Sequence, residues 1–307
     1  MPIGTVISVQ NQAIGLGTGS SVDRIIGTKQ SGPRGVEAII EYNGLFLNVR
    51  DWIDTYVVTN IDGIDDADVR DSREELPGDH GEAPGQAFYG GRTIVLQGYI
   101  ETKTMWKMRD MMQALRQAFS NLSQEQPLRF HHPDPTLTIE IFCKKSQKLQ
   151  IVEEQSTLNY FKRNFSIYLR ASNPRFTTRD EVYMTSGIFP GSSYDDILFS
   201  LNNYGNFPAQ PVFYMTGPFS TLYFENESSH QIFELTTEVP IEQTWIYDSI
   251  YRRFYQADTG DLKYGSLSDL SQIVNLDPQP VTNNMHLVAT GLTSDSLFEV
   301  RYHHTFI

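Results

Sequence analysis

Cysteine is nearly absent from this 307-residue chain. Cys143 is the only one, which excludes an intramolecular disulfide and a cysteine-built zinc cage. Long apolar runs are missing too: no stretch approaches the ~18 residues an apolar helix needs to cross a bilayer, so no membrane partner is expected. The opening "MPIGTVISVQNQ" has neither a basic n-region nor an apolar core, and no secretory signal is expected in it. Basic residues are scarce, with 24 Lys+Arg against 37 Asp+Glu and a net charge of −13. Such a chain has few cations with which to displace the counterions of a phosphate backbone, so stable nucleic-acid binding is not expected. These absences point to folding in a reducing cytoplasm, where the Asn-x-Ser sequons at Asn121, Asn164 and Asn226 are incidental.

What is present is a globular composition, 39% hydrophobic and 20% charged, in a length suited to about two domains. The charge is divided unevenly. Residues 1–180 carry 20 basic and 22 acidic groups, a net of −2, whereas residues 181–307 carry 4 and 15, a net of −11. The step predicts two units with different surfaces, one over 36–178 and one over 179–307. Residues 1–35 precede them as a glycine-rich arm; its "GLGTGS" resembles a dinucleotide fingerprint, but no strand–helix unit surrounds it.

From Val36 the pattern is that of strands. "VEAIIEY", "TYVVTNI", "RTIVLQGYI", "LTIEIF", "KLQIVEE" and "RNFSIYLRA" are short runs of β-branched and aromatic residues bounded by turn residues. In "GQAFYGGRTIVLQGYIE" (85–101), Ile94, Leu96 and Ile100 fall on one face and Thr93, Val95, Gln97 and Tyr99 on the other. Gly90-Gly91 reads as the tip of a tight hairpin, because primed turns need φ > 0. One segment has helical period: Met105, Met108, Met112, Leu115 and Phe119 recur at steps of three and four, predicting a covering helix over about 103–120. Thr102 or Thr104 can cap its start. Beyond Asn173-Pro174, strands such as "PVFYMTG", "STLYFEN", "QIFELTT" and "TWIYDS" recur about every ten residues without helices, which predicts an antiparallel sandwich. The fold class is mostly β.

Residues able to carry chemistry are few. The segment 62–82 holds nine carboxylates beside Arg70 and Arg73, but its glycine and final glutamate do not fit a calcium loop, and it reads as a solvated or intersubunit loop. His131-His132 and His303-His304 are adjacent pairs, which on a strand point to opposite faces and seldom share a metal. No nucleophile elbow, His-Glu-x-x-His helix or P-loop occurs, so neither catalysis, a metal nor a cofactor is expected. Trp245, Tyr247 and Tyr251 crowd one stretch; exposed, they could stack on sugar rings, and buried they would be sandwich core.

Several motifs, in order, resemble those of the distal tail (Dit-like) proteins of long-tailed, siphovirus-type bacteriophages. They are "FYGGRTIVLQGYI" (88–100) with the helix after it, "FSIYLRASNPRFT" (165–177), "GNFPAQPVFYMTG" (205–217) and "FYQADTGDLKYGSLSDLSQIVNL" (254–276). The resemblance starts near "IEYNGLFLNVRDW" (40–52) and covers most of the chain. It implies an α+β N-terminal belt domain with one covering helix, closing as a homohexameric ring, and a C-terminal galectin-like β-sandwich. It implies a structural virion protein at the distal end of the tail, assembled in the bacterial host cytoplasm. There it would join the tail tube, with the tape measure protein, to the tail-tip hub and tail-associated proteins of the baseplate, leaving a channel for DNA. On this resemblance the ring interface is expected at Phe88, Tyr89, Gly90, Gly91 and Arg92. The alternative is a host-surface carbohydrate-binding tail-tip module. Two features depart from the family pattern: the arm 1–35, expected to reach a neighbouring subunit or the tube, and the acidic segment 62–82, whose role is open and which, if it lined the channel, would repel passing DNA.

Overall fold

The computed structural model of the chain describes residues 38–49, 54–65, 67–70, 74–75, 82–83, 87–132, 138–152, 161–186 and 194–307. The expected arm over 1–35 lies outside the described residues. They divide into two compact units, one ending at Arg179 and the other beginning at Asp180.

The first unit runs β1 (Ile39–Tyr42), β2 (Leu45–Leu47), β3 (Thr55–Asp62), β4 (Val69–Arg70), β5 (Glu74–Glu75), β6 (Glu82–Ala83), β7 (Phe88–Tyr89) and β8 (Arg92–Glu101). Then come α1 (Met105–Ala118), β9 (Gln126–His131), β10 (Ile139–Lys145), β11 (Gln150–Val152), β12 (Lys162–Ala171) and β13 (Phe176–Thr178). The main sheet is antiparallel in the order β2-β1-β9-β10-β12-β8-β3, with β11 added to β12 and β13 to β10. Its spine is the pair β8 and β12, in register from Arg92 opposite Ala171 to Glu101 opposite Lys162. Alternation decides which side is dry: Ile94, Leu96 and Ile100 are fully buried, together with Phe165, Ile167 and Leu169 across the ladder. The sheet curls until its two ends approach. Asn48, held at φ 61°, receives the Val58 N–H on its Oδ1, while its own N–H donates to the Tyr56 carbonyl. That stitches the end of β2 to the outer edge of β3, an edge otherwise open to a foreign strand.

Helix α1 begins where Thr104, in extended conformation, accepts the Lys107 N–H on its hydroxyl. It packs on the sheet through Met108, Met111, Leu115, Ala118 and the following Phe119. Tyr56 donates its hydroxyl to the Met111 carbonyl, and Tyr42 stacks on Phe119 at 4.5 Å. The expected stripe therefore needs correction. Met105 is 51% exposed and Met112 only half-buried, while Met111 and Ala118 take the inward positions. At 100° per residue the buried face is rotated by about 50° from the one drawn through 105, 108, 112, 115 and 119.

The second unit runs β14 (Val182–Ser186), β15 (Tyr194–Leu201), β16 (Val212–Thr216), β17 (Thr221–Asn226) and β18 (Gln231–Leu235). It continues with β19 (Thr244–Asp248), β20 (Arg253–Gln256), β21 (Asn283–Thr290), β22 (Leu297–Tyr302) and β23 (Thr305–Phe306). Two antiparallel sheets, β14-β22-β16-β19-β20 and β15-β21-β17-β18, enclose one aromatic core. Phe213 lies 4.3 Å from Phe224, Phe224 lies 4.7 Å from Phe233, and Phe233 lies 4.6 Å from Tyr247, ring centre to ring centre. The long connection from β20 to β21 is fastened by asparagines. Asn226 donates to the Asn275 carbonyl and to Asn283, whose amide bonds both the N–H and the C=O of Asp277.

Candidate assembly surface

Between β3 and β8 the chain leaves the main sheet as a nested arm. β4 pairs with β7, and further out β5 pairs with β6, all antiparallel. This corrects the reading of Gly90-Gly91 as a hairpin tip, since β7 and β8 belong to different ladders and neither glycine has a positive φ. Both residues are buried at the arm's root, where the need is for space. A Cβ on Gly91 would stand 2.7 Å from the Ala171 carbonyl oxygen, and one on Gly90 would stand 3.1 Å from that of Asp68. Nearby Gly63, at φ +80°, is required on both counts, because a Cβ there would meet the Thr93 oxygen at 1.9 Å.

Arg92 locks this root. It is 1% exposed, which corrects its expected place at a ring interface. Its Nε donates to the Pro174 carbonyl at 3.1 Å, and Nη1 donates to those of Gly63, at 3.1 Å, and Ile64. The guanidinium carbon lies 4.9 Å from the centre of the Phe176 ring. A buried cation is tolerated where its fork finds acceptors, and here they are backbone oxygens from both sides of the arm's departure. On the surface above, Arg170 bridges Asp68 at 2.8 Å and the Thr93 hydroxyl at 2.7 Å.

Phe88 and Tyr89, by contrast, are 56% and 45% exposed, and Val69, opposite Tyr89 in the short ladder, is 59% exposed. Exposed apolar side chains on a short two-stranded ladder off the main sheet form a surface suited to protein contact. Sequence reasoning passed over Val69; its alternation with Arg70 was too short to register as a strand.

The other candidates disperse. Trp245 is 3% and Tyr247 6% exposed, inside the sandwich, and Tyr251 is 70% exposed in the turn after β19. The three share no face, which corrects the sugar platform. Trp245 meets Phe254 edge-on at 5.7 Å, and Tyr247 donates to the Gln272 carbonyl while burial pushes its hydroxyl up to about 12. His131 Nε2 lies 2.8 Å from the Glu41 carboxylate, which also meets Arg129. His304 is buried against Tyr204 and Tyr302; desolvation, then His303, lower its pKa to about 4. No cluster of three metal-ligating side chains occurs among the described residues. The motif around "NYGNFPAQ" is a clamp. Asn203 donates to the Phe207 and Leu276 carbonyls and accepts the N–H groups of Gly205 and Thr305, and a Cβ on Gly205 would stand 1.7 Å from the Thr305 oxygen. Cys143 is buried with its thiol pushed far up by desolvation, so it is inert.

No protein-family model and no curated protein matches the chain. Among solved structures, the fold matches that of the SPP1 Dit (gp 19.1) protein, described as a paradigm of hub adsorption apparatus in phages infecting Gram-positive hosts. The TM-score is 0.62 at 13% identity, over 88% of this chain and 99% of that one. Two structures of the phage P2 baseplate in its activated conformation, one with Ca and one with Sr, align at TM-scores of 0.42 and 0.40, each at 6% identity over 86% of this chain and 97% of theirs.

Proposed function

We propose that the chain is a structural virion protein of the distal tail type, a ring-forming adaptor between a phage tail tube and the tail-tip hub or baseplate. The observation that supports this reading is the match in fold to the SPP1 Dit protein, over 88% of this chain and 99% of that one. In this reading the first unit forms the ring, as a homohexamer around a channel for DNA, and the second is the outer sandwich. The tail tube, the tape measure protein and the tail-tip hub are its neighbours, and no reaction is assigned to it. The burial of Trp245 and Tyr247 removes the observation that favoured a carbohydrate module. Antibodies raised against the purified protein are expected to label the distal end of the tail in purified particles by immunogold microscopy. Label on the capsid, or on no part of the particle, would contradict the assignment.

A further inference from the structure

We propose that Asp62-Gly63 is a site of spontaneous backbone rearrangement, at which Asp62 converts to isoaspartate and loosens the root of the nested arm. The proposal stands apart from the ring reading. The chain holds one Asp-Gly step, at 62–63, and one Asn-Gly step, at 43–44. Both invite succinimide formation, because glycine puts no side chain in the way of its own nitrogen. The residues alone rank Asn43 first, since an amide loses ammonia more readily than an ionised carboxyl loses water. The fold reverses that order. Asn43 and Gly44 form the tip of the β1–β2 hairpin, at φ 48° and 76°, and the Asn43 amide is tethered to the Ala118 carbonyl at 3.2 Å. Asp62 is exposed, and its Oδ1 accepts the Gly63 N–H at 2.9 Å. The attacking nitrogen is thus held beside the carboxyl whose carbon it must reach, and a turn about the Cβ–Cγ bond presents that carbon.

The chemistry balances with water alone. In the protonated form of the Asp62 carboxyl, the Gly63 nitrogen bonds to Cγ, and the hydroxyl leaves with the amide proton as water. The product is a five-membered succinimide. Water then attacks the former main-chain carbonyl carbon of Asp62 and breaks its bond to the Gly63 nitrogen. The chain now runs through Cβ and Cγ, one carbon longer, and the old carbonyl is a free carboxylate. That lengthening falls where there is no slack. Gly63 packs so closely on β8 that a Cβ would stand 1.9 Å from the Thr93 oxygen. Its carbonyl and that of Ile64 accept the Arg92 guanidinium, and Asp62 opposite Val95 is the last pair of the β3–β8 ladder. An added carbon shifts those acceptors off the fork and disturbs that pair, so a buried cation loses partners.

The test ages the full-length protein in neutral buffer made with heavy-oxygen water, then maps its peptides by mass spectrometry after digestion in ordinary water. Each succinimide that reopens leaves one heavy oxygen, and fragment ions tell isoaspartate from aspartate. In the folded protein, label and isoaspartate at Asp62 are expected to exceed those at Asn43 by about tenfold or more. In chain unfolded with guanidinium the order is expected to invert. The urea midpoint of the aged protein is expected to fall in step with its isoaspartate fraction. Asp62→Glu, in which the ring would need six members and closes far more slowly, is expected to gain no label at that position and to keep its midpoint. A folded protein with no label at Asp62, or with Asn43 labelled first, overturns the proposal. Isoaspartate at Asp62 with an unmoved midpoint overturns its coupling to the arm.

Discussion

Arg92 directs a guanidinium at three backbone carbonyls where the chain leaves the main sheet, and a lysine cannot reproduce that fork. Arg92→Lys is expected to destabilise the protein by about 2–4 kcal/mol, because two or more buried oxygens lose their donor. Urea unfolding followed by tryptophan fluorescence measures this, and a change below about 0.5 kcal/mol would mean that the arginine does not hold the arm. The resemblance of the 88–100 motif placed Arg92 at an interface, and nothing local in the sequence shows its acceptors, which at Gly63, Ile64 and Pro174 are 28 to 82 residues away. Gly90 and Gly91 were opaque for a related reason. A glycine pair looks the same whether it supplies a positive φ or makes room for a passing carbonyl, and only the position of Ala171 decides between them.

At the scale of the element, alternation in β8 and β12 was legible from the residues, because one face of an antiparallel pair is dry and period two is hard to mimic. The existence of one covering helix was legible as well; its rotation was not. Four methionines and a tryptophan within "MWKMRDMM" leave several apolar stripes to choose from, and the sheet settles the choice on Met108 and Met111. Met108→Ala should cost about 2–5 kcal/mol as a buried cavity forms, whereas Met105→Ala should change the monomer's stability by less than about 0.5 kcal/mol. Thermal or urea denaturation of the two variants, at a concentration too low for assembly, checks the contrast. Equal losses would restore the stripe drawn from sequence. Trp245 and Tyr247 show the limit of the same method: alternation put them on one face, and only Phe233 of the facing sheet, with Phe254 of the adjacent strand, shows that face to be the core.

At the scale of the whole molecule, the two units, which hold no group of three metal-ligating side chains among the described residues, have a fold similar to that of the SPP1 Dit protein. The mostly-β class and the antiparallel sandwich follow from strand spacing. The nested arm does not, because β4 to β7 are two residues each and their pairing is set by the root at Gly63, Gly91 and Arg92. The most direct measurement is the mass of the purified protein by native mass spectrometry across a wide range of concentrations. A discrete hexamer that grows with concentration, without larger open polymers, is the result this account predicts. A strict monomer, or an unbounded ladder of masses, would contradict it.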